Sequence, residues 1–186
     1  MACFEQLPCS LVWMILNSLP TSCLYEVITV SKSVMRAALG LLQELKVVVH
    51  PEDDLVAVVA TAVPYSTVLI HGVHKLTEQL LSVHTNIKLI GASSDAAIRG
   101  GLQWAVIDVD SNAEVIVSNL TISWTNAPSN DFLDRSIVHV SGKLIMNNVN
   151  ATWDRPFEDF GSRYGVRAVC GSTVQLRHCL VRTFAG

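Results

Sequence analysis

The feature that most constrains this chain is an internal repeat of about 30 residues. Three segments share one pattern: Val115–Ile122 (VIVSNLTI), Leu144–Ala151 (LIMNNVNA) and Val174–Val181 (VQLRHCLV). Each alternates apolar and polar residues, slips phase by one at Asn119, Asn148 or His178, and then alternates again. Those three residues lie 29 and 30 positions apart, and Ile87–Gly91 fits the first half of the pattern 28 positions earlier. A second short apolar run precedes each segment: Trp104–Val109, Ile137–Val140 and Val166–Val169. Trp124 and Trp153 each follow the slip by five residues, and Phe184 follows His178 by six. A slip in a period-two pattern marks a bend between two strands, because one residue of slip turns every side chain to the other face. Asn suits such a bend, since it tolerates left-handed backbone and can hydrogen-bond locally. Three short strands per period predict a right-handed parallel β-helix of about four coils. One coil cannot bury its own inward face, so the coils must stack. The equivalent tryptophans are then expected to form a structural stack.

The chain before the repeat reads differently. Leu11, Ile15, Leu16 and Leu19 form one helical stripe that starts near Pro8 and stops at Pro20. Thr21 or Ser22 can cap a second helix carrying Leu24, Val27 and Ile28. Ser31 or Ser33 opens a third, with Val34, Ala38, Leu41, Leu42 and Leu45 inward. Residues 1–50 therefore read as a small three-helix module, and residues 51–186 as the β-helix. Asp53 or Asp54 caps a short helix expected over Leu55–Ala62, placed to plug the first end of the solenoid. No comparable cap follows the last repeat. That predicts an exposed coil edge and self-association through Val166–Phe184, driven by Val174, Leu176 and Leu180.

Composition narrows the function classes. Half of the residues are hydrophobic and 16% are charged, which excludes general disorder. Thirteen Lys and Arg against 16 Asp and Glu give a formal charge of -3, so no overall basic field attracts nucleic acid or an anionic membrane. Five cysteines, an odd number with no C-x-x-C pair, argue against a disulfide framework or a zinc knuckle and suit a reducing compartment. No apolar run reaches membrane-spanning length, and no basic residue precedes Leu11–Leu16 as in a signal peptide. Cytoplasm or nucleus is the expected location, where the sequons at Asn119 and Asn150 carry no meaning.

Two resemblances arise from particular residues. Leu7-Pro8, Ile15-Leu16, Leu19-Pro20, Leu24 and Val30-Ser31-Lys32 resemble an F-box over about residues 4–45; Val34 and Met35 stand where that motif carries Trp and Arg. Val68–Ile70, Gly72, Glu78-Gln79-Leu80 and Ile87–Gly91 resemble the first coil of the pectin-lyase-like β-helix superfamily, with His74 at its usual Tyr position. This second likeness covers about residues 55–186. Together, in this order, they resemble F-box proteins with repeats of the carbohydrate-binding and sugar-hydrolase (CASH) type. The resemblance implies a substrate-receptor subunit of a ubiquitin ligase. The F-box would dock a Skp1-like adaptor of a cullin through Leu7, Pro8, Ile15, Leu16, Leu19, Leu24 and Val30, and the β-helix would hold a target protein.

The alternative class is a β-helix polysaccharide lyase or hydrolase, or a sugar-binding protein. Such enzymes need paired carboxylates across a groove, or clustered Asp for calcium beside a basic residue. Asp108 and Asp110 both point outward if Ile107 and Val109 point in. The repeat sets His139 opposite Asp108, and Arg167 or Ala168 in the following coil. A column of Asp108, His139 and Arg167 could contact a target, although alternation alone also builds solvated columns. The charged stretch Asp154–Arg163 is the one sizeable charged loop, and Asp154, Arg155, Glu158 and Arg163 join the candidate target-binding residues. His71, His74 and His84 lack a metal-ligand spacing and are expected at outward or bend positions. No cofactor and no metal are expected.

Overall fold

The computed structural model describes residue 19 and residues 45–76, 79–100, 103–125, 134–153 and 162–182. The expected three-helix module lies outside these residues, as do Leu7, Pro8, Ile15, Leu16, Leu24 and Val30. Leu19 is described as a half-buried residue in a bend.

The described elements are almost all strand: β1 (Lys46–Val49), β2 (Thr67–Ile70), β3 (Val73–Lys75), β4 (Leu81–Val83), β5 (Ile87–Gly91), β6 (Ala97–Gly100), β7 (Ala105–Val109), β8 (Glu114–Trp124), β9 (Asp134–Val140), β10 (Lys143–Trp153), β11 (Ser162–Ala168), β12 (Thr173–Arg177) and β13 (Leu180–Arg182). One helix, α1 (Leu55–Ala60), separates β1 from β2. Every pairing among these strands is parallel. The first ladder runs β1-β2-β5-β8-β10-β12, with β3, β6 and β13 extending it past the bend. The second runs β4-β7-β9-β11. The chain is thus a parallel β-solenoid.

The solenoid makes about three turns, against the four expected from the period. The second ladder returns to its own side three times, from β4 to β11, whereas β12 and β13 are followed by no further second-ladder strand among the described residues. At the other end β1 lies inside the stretch read as helical. Its valines pair with Thr67–Ile70, so solenoid pairing reaches back across Pro51.

The core consists of inward columns. Val68, Leu89, Val117 and Met146 stand in one register column, all 0% exposed. Leu81, Ile107 and Val138 form another on the second ladder, and Val83, Val109 and Val140 a third. Burying each such side chain contributes roughly 1.5–3 kcal/mol. Stacking supplies that burial, since every column is built from different coils.

The phase slips are bends of one kind. Asn119, Asn148 and His178 each have φ 53°, the left-handed region. Asn148 Nδ2 donates to Asn119 Oδ1 at 2.9 Å, so two coils are tied at the bend. One coil earlier Gly91 holds the equivalent register position. A Cβ on Gly91 would overlap the carbonyl oxygen of Asn119. Glycine is required there for close approach.

Trp124 and Trp153 stack with centroids 4.7 Å apart and planes 23° apart, both buried. The expected structural stack is present. Helix α1 starts where its cap dictates: Asp54 accepts from the backbone N–H groups of Val56 and Ala57. Leu55 and Val59 turn into the core, and α1 packs on β4. It ends two residues sooner than expected. Thr61, at φ -102° and ψ 3°, leaves the helix and closes it through its N–H to Ala57 O. His74, expected outward or at a bend, is instead 3% exposed within β3. Its Nε2 lies 3.1 Å from the carbonyl oxygen of His71, which satisfies the buried ring.

Candidate functional site

Strand alternation decides what the outer face of the second ladder displays. Inward Leu81, Ile107 and Val138 leave the next residue of each strand facing out. Ser82 pairs with Asp108, Asp108 with His139, and His139 with Arg167, giving one outward column across four strands. The column of Asp108, His139 and Arg167 read from the repeat is therefore assembled, and Arg167 rather than Ala168 completes it.

The column is ordered by its own contacts. His139 Nδ1 lies 2.9 Å from Asp108 Oδ1, with the two side chains 16% and 25% exposed. The Trp104 ring meets the His139 ring edge-on, with centroids 4.7 Å apart. This pins the imidazole between a carboxylate and an aromatic wall. The Arg167 guanidinium sits 5.5 Å from the centre of the Tyr164 ring, a cation–π distance. Tyr164 is exposed. Beyond inward Val109, Asp110 carries a second histidine, His84, at 3.0 Å. The His84 contact, followed by hydrogen bonds from the Ser111 hydroxyl and backbone, holds the Asp110 carboxyl below its ordinary value.

This arrangement presents hydrogen-bonding groups and is not wired to activate a nucleophile. In a Ser–His–Asp relay the histidine stands between the serine and the carboxylate. Here Asp108 is the middle member, with Ser82 on one side and His139 on the other. Asp108 lies in β7 and Asp110 just past its end, two residues apart, each engaged by its own histidine. No cluster of three or more His, Cys, Asp or Glu with metal-binding geometry occurs among the described residues.

The other candidates fall elsewhere. Asp154, Arg155 and Glu158 lie outside the described residues. Arg163 is in β11, in register with Arg135 of β9. Trp104, Tyr164 and the pairing of His84 with Asp110 belong to this face but were not among the residues picked from sequence. The signal for His84 was available: it stands one residue past β4, as Asp110 stands one past β7. A separate shallow groove of about 390 Å³ runs beside the bends, with Ser93, Ser94, Asn119, Thr121, Asn148 and Asn150 on its walls.

The fold and this face define a parallel β-solenoid protein with an ordered, titratable outer sheet. No protein-family model matches the chain, and a search of curated proteins finds no significant relative. No helix among the described residues is long and apolar enough to cross a membrane.

Proposed function

We propose that this chain is a non-catalytic receptor subunit of a cullin-type ubiquitin ligase. In this reading an F-box within residues 1–50 docks a Skp1-like adaptor, and the β-solenoid holds the target protein. The observation that carries the target-binding half is the ordered column Asp108–His139–Arg167, flanked by Trp104 and Tyr164 on a rigid sheet. Aromatic and Arg side chains held in place by neighbours are the groups that dominate protein interfaces. The adaptor half rests on the F-box-like residues from Leu7 to Lys32.

The test is capture of the full chain from cell extract, probing for the Skp1-like adaptor and the cullin. Both are expected with the wild type. Leu7→Ala with Pro8→Ala is expected to weaken adaptor capture more than tenfold, a factor worth about 1.4 kcal/mol. No adaptor binding by the wild type at roughly micromolar concentration, an affinity near 8 kcal/mol, would remove the ligase role.

One observation favours a second reading, carbohydrate binding. The groove beside Asn119 and Asn148 combines hydroxyls and amides, the groups that hydrogen-bond sugar hydroxyls, with apolar Leu120, Val149 and Leu180. Oligosaccharide-induced shifts confined to Asn119, Asn148 and Thr121 in an NMR titration would support it.

A further inference from the structure

The two ends of the solenoid differ in charge but not in apolar character. At the first end, Val47 and Val48 of the edge strand β1 are 38% and 48% exposed. Beside them α1, which is apolar throughout (LVAVVA), leaves Val56 and Val58 half-covered and Ala57 and Ala60 exposed. The turn after β1 is acidic: Glu52, Asp53 and Asp54 are consecutive and all exposed, against one exposed cation, Lys46, on the strand itself. At the far end, the inward residues Leu176 and Val181 are 47% and 37% exposed, although they stack directly on Met146 and Ala151, both 0% exposed. The rim here is basic. Arg177 and Arg182 are exposed, and the sequence contains no Asp or Glu after Asp159.

We propose that copies of this chain stack head to tail, the β12–β13 edge of one receiving the β1–α1 end of the next. The register supports the fit. Val47, Val68, Leu89, Val117, Met146 and Leu176 already form a single column. One more parallel step sets the next copy's Val47 on Leu176, in the same inward phase. The turn after β1 then follows the path of β13. By the same register Asp53 of that copy falls over Arg182, and Arg177 lies under Val48, on the strand that leads into the acidic turn. Among the described residues no strand pairs with the outer edge of β1, β12 or β13. Such edges are templates for strand addition. Pairing two basic ends would set Arg177 and Arg182 of both copies together, a like-charge contact that charge complementarity disfavours. The contact is therefore heterologous, and a heterologous contact with no closing rotation grows into an open row. This inference is independent of the proposed ligase role.

Sedimentation of the full chain tests it. The average mass is expected to rise with concentration beyond two copies at roughly tens of micromolar, and to fall as salt is raised, because the rim charges are exposed. Arg177→Glu with Arg182→Glu should weaken association by about tenfold or more, and so should Glu52→Lys with Asp53→Lys. The decisive arm mixes the two reversed proteins, whose ends are again complementary. Mixing should restore assembly, which also shows that both variants fold. A monomeric wild type overturns the proposal. So does a discrete dimer that survives Glu52→Lys with Asp53→Lys, or a mixture that stays dissociated.

Discussion

At the residue scale, single positions are held by what the neighbouring coil does. Gly91 is the tightest case. Its missing Cβ leaves room for the Asn119 carbonyl, and backbone cannot retreat as a side-chain end can. Gly91→Ala is expected to cost about 2 kcal/mol or more, in the range of overpacked cores, read as a lower midpoint in urea with an unchanged slope. Asp110 gives a pH-dependent counterpart. Its carboxyl titrates below the ordinary value in the folded chain, chiefly through His84 and then Ser111. A depressed folded value means that the contribution is present above the unfolded value and is lost as pH falls through the folded one. His84→Ala is expected to move the Asp110 titration, followed by carboxyl NMR shifts, upward toward 3.8. An unmoved titration would assign the shift to Ser111 alone. The bends at Asn119, Asn148 and His178 and the Asp108–His139 register were legible because both follow from spacing. The edge-on Trp104 was not, since ring orientation depends on side-chain torsions that no pattern encodes. Nor was buried His74, whose partner is a backbone carbonyl three residues earlier.

At the element scale, the sequence announces beginnings better than endings. Asp54 is a chemical start signal for α1, and either Asp53 or Asp54 could have supplied it. Asp53 instead accepts from the His50 backbone N–H, leaving Asp54 to cap. Asp54→Ala is expected to lower stability by about 1 kcal/mol, whereas Asp53→Ala should have a smaller effect; thermal melts of both variants separate them. The stop at Thr61 carries no such signal, because Pro64 permits a longer helix than forms. The same asymmetry holds for strands. The pattern broke each repeat at the bend, yet β8 and β10 run through it as strands of 11 residues, since their neighbours keep pairing on both sides. In coils without an Asn at the bend the strands remain separate, as β5 and β6 do at Gly91 and β12 and β13 at His178. The paired tryptophans close these long strands. Trp153→Ala should cost about 3–5 kcal/mol, the usual range for removing a buried aromatic, with loss of near-ultraviolet dichroism from the stacked pair.

At the scale of the whole molecule, stability is a sum over coils and the contacts between neighbouring coils. Each coil brings its own apolar column members and meets the next through one register, and the coils of β8 and β10 each add a bend Asn and a closing Trp. The stretch Gly142–Gly171 contains such a set: Gly142 beneath the turn, Asn148 at the bend, Trp153 at the strand end. Ser172 follows it in the register position that Gly142 occupies one coil below, so a second copy of the stretch has matching joints at both ends. A chain with Gly142–Gly171 duplicated in tandem is expected to fold, to show a proportionally stronger β-sheet dichroism, and to be longer in small-angle scattering by about 4.8 Å, one inter-strand spacing. A duplicated chain that melts well below the parent would mean that the coils are not interchangeable. Length in this molecule is therefore a counted quantity: it changes by whole coils, and a protein built this way can be made taller or shorter without redrawing its cross-section.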